Sequence, residues 1–214
     1  MTRAVMMASE AKAAALQQLM ARSIYSTGIA TGSGTDMIVI VTDPSSSRHL
    51  SNAGKHSKLG ELIGRTVIAA THAALEMETG LSPASQRDVL VRLSRFGVTE
   101  EDIWNVAMLR YKERIPGILS KEKFVRCLRR KAQDPYLVAV VSAIIHITDE
   151  AEWTLLPEND AKLAACRLIR EGFNLETTMG GENGSEPARE SILRCLNRAI
   201  SACVIREICP DISE

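Results

Sequence analysis

The sequence predicts a predominantly helical α+β protein: a small sheet with flanking helices, followed by an all-helical domain. Three observations predict it. One β-branched run, Met37-Ile38-Val39-Ile40-Val41, reads as a strand and lies in the first 80 residues. Helix periodicity with matching caps fills the rest of the chain. Hydrophobic residues make up 45% of the 214, enough for a sizeable core.

The elements follow in order. Residues 4–22, rich in Ala, Leu, Met and Gln, read as a helix. Residues 25–31 read as short and extended, and residues 36–42 as the strand. Asp43-Pro44-Ser45-Ser46-Ser47 closes that strand with turn chemistry. Residues 57–78 read as a long helix with Ser57 as N-cap and Leu59, Leu62, Ile63, Thr66, Val67 and Ala70 on one face. Gly80 is placed as its C-cap, with Pro83 after it. The domain boundary falls there, giving domains over 1–80 and 82–214.

Beyond it no strand is predicted. Residues 84–96 read as a helix stopped by Gly97. Thr99, followed by Glu100, Glu101 and Asp102, opens a helix to Tyr111. Pro116-Gly117 is a turn. Ser120 caps a basic helix through Lys131. Asp134 and Pro135 start an apolar helix over 135–147. Residues 155–159 form a loop, Asp160 caps a helix to Gly172, 178–187 is a loop, and 188–207 is the last helix.

Composition narrows the function. Lys+Arg and Asp+Glu balance at 26 each, so bulk electrostatic binding to nucleic acid or anionic membrane is not expected. Aromatics at 4% are too few for base-stacking platforms. Cys127, Cys166, Cys195, Cys203 and Cys209 are odd in number and contain no CxxC pair, which fits reduced thiols better than a disulfide framework or zinc site. Glu10 and Lys12 interrupt the apolar residues near the start, so no signal peptide is read there. The run 137–147 is too short to span a bilayer. The chain reads as soluble and cytoplasmic.

Two segments carry chemistry. Thr31, Gly32, Ser33, Gly34, Thr35 and Asp36 form a polar, glycine-spaced turn that offers backbone amides, hydroxyls and a carboxylate. Such a turn can cradle an anion or oxyanion. It is neither a Walker A loop nor a dinucleotide fingerprint, and a glycine turn alone is more often only a turn. Lys55, His56 and Glu61 stand where the long helix begins. There His56 or Glu61 can act as general base, although a lone histidine at a helix start is usually a surface or capping residue. Glu10 and Lys12 read as a solvated helix face. Arg126, Arg129, Arg130 and Lys131 read as a basic helix end that complements the dipole, with phosphate binding as the sharper alternative. His146 reads as a core histidine, and the cysteines as small hydrophobes.

Three blocks go further than composition. Glu10-Ala11-Lys12-Ala13-Ala14-Ala15-Leu16-Gln17, Ala30-Thr31-Gly32-Ser33-Gly34-Thr35-Asp36 and Ala53-Gly54-Lys55-His56-Ser57-Lys58-Leu59-Gly60-Glu61-Leu62-Ile63-Gly64 closely resemble the adenosylcobinamide amidohydrolase (CbiZ) family over residues 4–75. The blocks match the later half of that family's domain. The resemblance implies hydrolysis of the amide joining aminopropanol to the corrin ring, giving adenosylcobyric acid for cobamide salvage. It implies a corrinoid substrate. His56, Glu61 and Asp36 then become candidate catalytic residues, and Thr31, Gly32, Ser33, Gly34, Thr35, Lys55 and Glu10 candidate substrate contacts. Ser33 or Thr35 as a covalent nucleophile is the less favoured variant. With only the later half present, the expected sheet has open edges: either the domain is truncated, or another chain, a partner or a second copy in a homo-oligomer, completes the sheet.

Residues 84–170 are similar, more weakly, to archaeal α-ribazole phosphatase (CobZ), a helical relative of phosphatidylglycerophosphatase A. The similarity rests on Arg95-Phe96-Gly97-Val98-Thr99-Glu100-Glu101-Asp102-Ile103, Asp134-Pro135-Tyr136-Leu137 and Leu156-Pro157. It implies phosphate release in nucleotide-loop assembly, with Mg²⁺ as the cofactor such chemistry would call for. No cofactor or metal motif is otherwise read. In place of an acidic metal-binding motif after the loop stand Cys166, Arg167, Leu168, Ile169, Arg170 and Glu171. A third reading is a non-catalytic module that binds a corrinoid or a partner.

Overall fold

The computed structural model describes residues 2–34, 36–47, 50, 52–115, 119–175 and 186–210. They contain eight α-helices: α1 (Thr2–Gln18), α2 (Lys58–Thr79), α3 (Val89–Leu93), α4 (Glu100–Tyr111), α5 (Lys121–Ala132), α6 (Pro135–Glu152), α7 (Glu158–Gly172) and α8 (Ala188–Ile208). The chain divides into two compact units, Met1–Gln86 and Arg87–Glu214.

The first unit is a pair of packed helices and the loops between them. Ala4, Ala8, Ala11 and Ala15 form a buried stripe along α1, and small side chains let α2 approach closely. Met20 takes a left-handed conformation just past α1 (φ 48), and the Ala21 amide returns to the Leu16 carbonyl at 2.9 Å. The chain then makes a tight loop whose isolated Arg22–Ile29 bridge is its whole β-content. Ser57 caps α2 as predicted, accepting from the Gly60 amide, and Gly80 ends it in the left-handed region (φ 71).

The predicted sheet is not there. Residues 36–42 form no ladder, and among the described residues there is no strand. Met37, Val39 and Val41 are 86%, 73% and 88% exposed. A β-branched run favours extended backbone, but a strand exists only when a second strand takes its amides and carbonyls. The small-sheet α+β assignment is therefore corrected to a helical fold. The α2 face is also less buried than its pattern implies: Gly60 is the one buried residue of the helix, and Leu62 is exposed.

Among its described residues the second unit has helices, their connecting turns and no strand, and it holds the larger core. Leu93, Ile103, Phe124, Ile144, Ile169 and Leu196 are essentially inaccessible. Trp104 meets Phe124 edge-on at 5.2 Å between ring centroids. Thr99 forms a full capping box with Asp102, Ser120 caps α5, and Asp134 caps α6 with Pro135 in the first turn.

Several predicted boundaries move. Residues 82–86 form a turn in which Ser82 and Ser85 bond one another, and the helix starts instead at Val89 behind the Asp88 cap. After α3, Ser94–Phe96 tightens into a 3₁₀ turn that Gly97 closes in the left-handed region (φ 73). The α6 helix runs on to Glu152, because Thr148 and Asp149 are buried and Arg95 Nη2 donates to both Asp149 carboxylate oxygens at 2.7 Å. Burial pushes the Asp149 carboxyl above its ordinary range, and the Arg95 guanidinium pulls it back. The α7 helix starts at Glu158 after Pro157, without a side-chain cap from Asp160. His146 is not a core residue: its side chain is exposed and meets Glu150 at 3.3 Å. The predicted Pro116-Gly117 turn and most of the 178–187 loop lie outside the described residues. Among the described residues no helix is long and apolar enough to cross a membrane.

Candidate functional site

The Lys55–His56 segment is held from below by a small backbone knot. The Ser57 amide and hydroxyl both donate to the Gly54 carbonyl, at 2.9 and 2.8 Å, and the Gly60 amide donates to Ser57 Oγ at 3.1 Å. Asn52 Oδ1 accepts from the Gly54 amide at 2.9 Å and from Arg3 Nη1 at 3.1 Å, which ties the loop to α1. Above this knot Lys55 and His56 face α1, and Lys55 Nζ reaches Glu10 Oε2 at 3.1 Å.

These residues line an open cleft of about 350 Å³, completed by Arg3, Asn52, Met6 and Met7. It presents two cations, a carboxylate, an imidazole and two adaptable thioethers. Glu61 does not line it. Its carboxylate lies on the exposed face of α2, 2.7 Å from Lys58 Nζ and 3.7 Å from Arg65 Nη1. The Lys58 ammonium holds it below the usual carboxylate range.

A second cluster gathers around Asp36. The Ser33 amide donates to Asp36 Oδ2 at 3.0 Å, the Ser33 hydroxyl donates to Asp36 Oδ1, and Lys12 pairs with the same carboxylate. Lys12 Nζ also lies 3.3 Å from Ser33 Oγ. Gly32 permits this: a Cβ there would stand 2.9 Å from Asp36 Oδ2. The amide and hydroxyl of Ser33 are thus spent on Asp36, and Asp36 faces Lys12 and not His56. At Gly34 a Cβ would meet nothing, and Thr31 is exposed. Thr35 lies outside the described residues.

The two clusters occupy opposite flanks of α1. Glu10 precedes and Lys12 follows buried Ala11, and each step turns the helix by about 100°. Arg3, Met6 and Glu10 share one flank with the cleft, while Lys12 points to the other. The structure therefore brings Glu10, Lys55 and His56 together, and separately Ser33, Asp36 and Lys12. Sequence reading passed over Lys12, Arg3 and Asn52 as site residues. The one available signal was the pair of charges bracketing Ala11 in an alanine-rich helix.

In the second unit the basic end of α5 is already neutralised. Arg129 makes a two-pronged contact with Glu100 at 2.7 and 2.9 Å, and Arg130 and Lys131 both pair with Glu207. Three of its four cations are therefore not open to a phosphate. Among the described residues no group of three or more His, Cys, Asp or Glu is placed to hold a metal ion.

No curated protein and no solved structure matches the chain. Residues 1–83, which carry both clusters, match the family model CbiZ, adenosylcobinamide amidohydrolase, and this part of the chain is similar to that family.

Proposed function

We propose that the first unit hydrolyses the amide joining aminopropanol to the corrin ring of adenosylcobinamide, releasing aminopropanol and adenosylcobyric acid. The observation that carries this reading is that the family match covers every residue lining the Arg3–His56 cleft.

In this reading His56 takes a proton from a water as the water attacks the amide carbonyl, then returns it to the leaving amine. Lys55 and Arg3 supply positive charge to the tetrahedral oxyanion. Glu10 holds Lys55 through their ion pair and so aims the ammonium across the cleft. Met6 and Met7 give the corrin rim an apolar wall. Asp36 orders the turn around Ser33, and through it the backbone of Gly32 and Gly34 and the exposed Thr31 are offered to the substrate from the other flank of α1. Glu61, paired to Lys58 and Arg65, is a helix-surface residue and not the base.

The test is release of aminopropanol from adenosylcobinamide by the wild type and by His56→Ala. Turnover by the wild type with a fall of roughly 10²-fold or more in the variant supports the assignment. Equal rates remove His56 from the mechanism. Corrinoid binding without turnover by the wild type identifies a binding module in place of an enzyme.

A further inference from the structure

We infer that Cys166 and Cys195 form a modification site, a thiol pair that a peroxide converts to a disulfide joining α7 to α8. The two residues stand on packed helices of the second unit, and their side chains are hydrogen-bonded to each other. Cys195 is buried, whereas Cys166 is part-exposed, so one sulfur can meet an oxidant while the other waits beside it. That is the arrangement of an attacking and a resolving thiol.

The remaining chemistry agrees. The Cys195 S–H donates to the Cys166 sulfur and holds the Cys166 thiol down to about 6, against burial, which acts the other way. The bond thus favours thiolate character at Cys166, and the thiolate is the nucleophile. Burial instead pushes the Cys127 and Cys203 thiols up, so they stay protonated and slow. The contrast makes the reaction site-selective.

In the first step the Cys166 thiolate attacks the O–O bond of the peroxide. The sulfur takes one oxygen as a sulfenic acid, and hydroxide leaves. In the second, the Cys195 sulfur attacks the Cys166 sulfur, the S–O bond breaks, and the Cys195 proton goes out with the departing oxygen as water. Two thiols are oxidised and one hydrogen peroxide is reduced to two waters.

The test uses the full reduced chain treated with hydrogen peroxide, blocked with iodoacetamide and digested with trypsin. The expected product is a single pair of linked peptides, 163–167 with 195–198, that dithiothreitol separates. Cys127 and Cys203 are recovered alkylated. Cys166→Ser and Cys195→Ser each abolish the link, and Cys127→Ser keeps it. Recovery of Cys166 alkylated, or oxidised without a link to Cys195, overturns the proposal, as does a disulfide to any other cysteine. The wild-type peptide map decides this whether or not the serine variants fold.

Discussion

Gly60 lies so close to the Gly54 carbonyl that a Cβ at position 60 would stand 2.1 Å from that oxygen. The obstacle is backbone, which cannot rotate away. Alanine normally stabilises a helix by about 1 kcal/mol relative to glycine, but forced overpacking costs about 1–3 kcal/mol. Gly60→Ala is therefore expected to lower the stability of the first unit and to displace Lys55 and His56. Gly64→Ala is the control. Its Cβ would meet only Met7 Cε, at an ordinary 3.9 Å, so a gain of up to about 1 kcal/mol is expected. Urea melts of both variants check the pair, and equal behaviour would sink the packing argument.

Lys12 joins Asp36 and Ser33 across a separation of more than twenty residues. Lys12→Met keeps most of the length of the side chain and removes the charge that pairs with Asp36. Misplacing a binding element costs as much as about 10²-fold in rate. Aminopropanol release is expected to fall roughly ten- to a hundredfold with the melting transition unchanged. Rates within about twofold of wild type would show that the turn takes no part in turnover.

The Arg95–Asp149 pair tests the second unit. Both side chains are under 10% exposed, at 6% and 9%. Removing one partner leaves the other charge buried and uncompensated, a loss of about 3–5 kcal/mol. Asp149→Ala is expected to fall in that range by chemical denaturation. The double variant Arg95→Met/Asp149→Ala recovers part of the loss. No recovery would mean that the cost comes from packing and not from charge.

Glu100 gives a pH dependence with a definite sign. The Arg129 guanidinium lowers its carboxyl from the ordinary 4.5. A carboxyl lowered on folding adds stability above its unfolded value and loses it as the pH falls through the folded value. Wild type is therefore expected to exceed Glu100→Gln slightly at neutral pH, and the difference closes as the solution is acidified below 4.5. The pair is largely solvent-exposed, so about 1 M salt, where the screening length is ~3 Å, should also close the gap. A difference that persists in both conditions would assign the effect to something other than the ion pair.

The caps were legible in advance because they are local. Ser57, Thr99, Ser120 and Asp134 each satisfy amides two or three residues downstream, and Gly80 and Gly97 sit at left-handed helix ends. Nothing beyond a few neighbours in the chain is needed to place them. The strand over 36–42 failed for the opposite reason. Its propensity is written in five residues, but its partner strand must come from elsewhere. The Ser82–Ser85 turn also displaced a helix start, because serine side chains offered the backbone an alternative to helical bonding.

The candidate site divides along the same line. By itself the sequence determined the helical segments, most of their ends, the two polar blocks around Gly32 and Gly54, and the likeness of residues 1–83 to the CbiZ family model. Tertiary structure alone decided that Lys55 and His56 face Glu10 and that Lys12 closes on Asp36. Propensity, capping and motif spacing act over a turn or two of chain. Which charge meets which across some twenty to forty-five residues is decided only when α1, with its buried alanine stripe, packs on α2 and the loops between them come to lie along it.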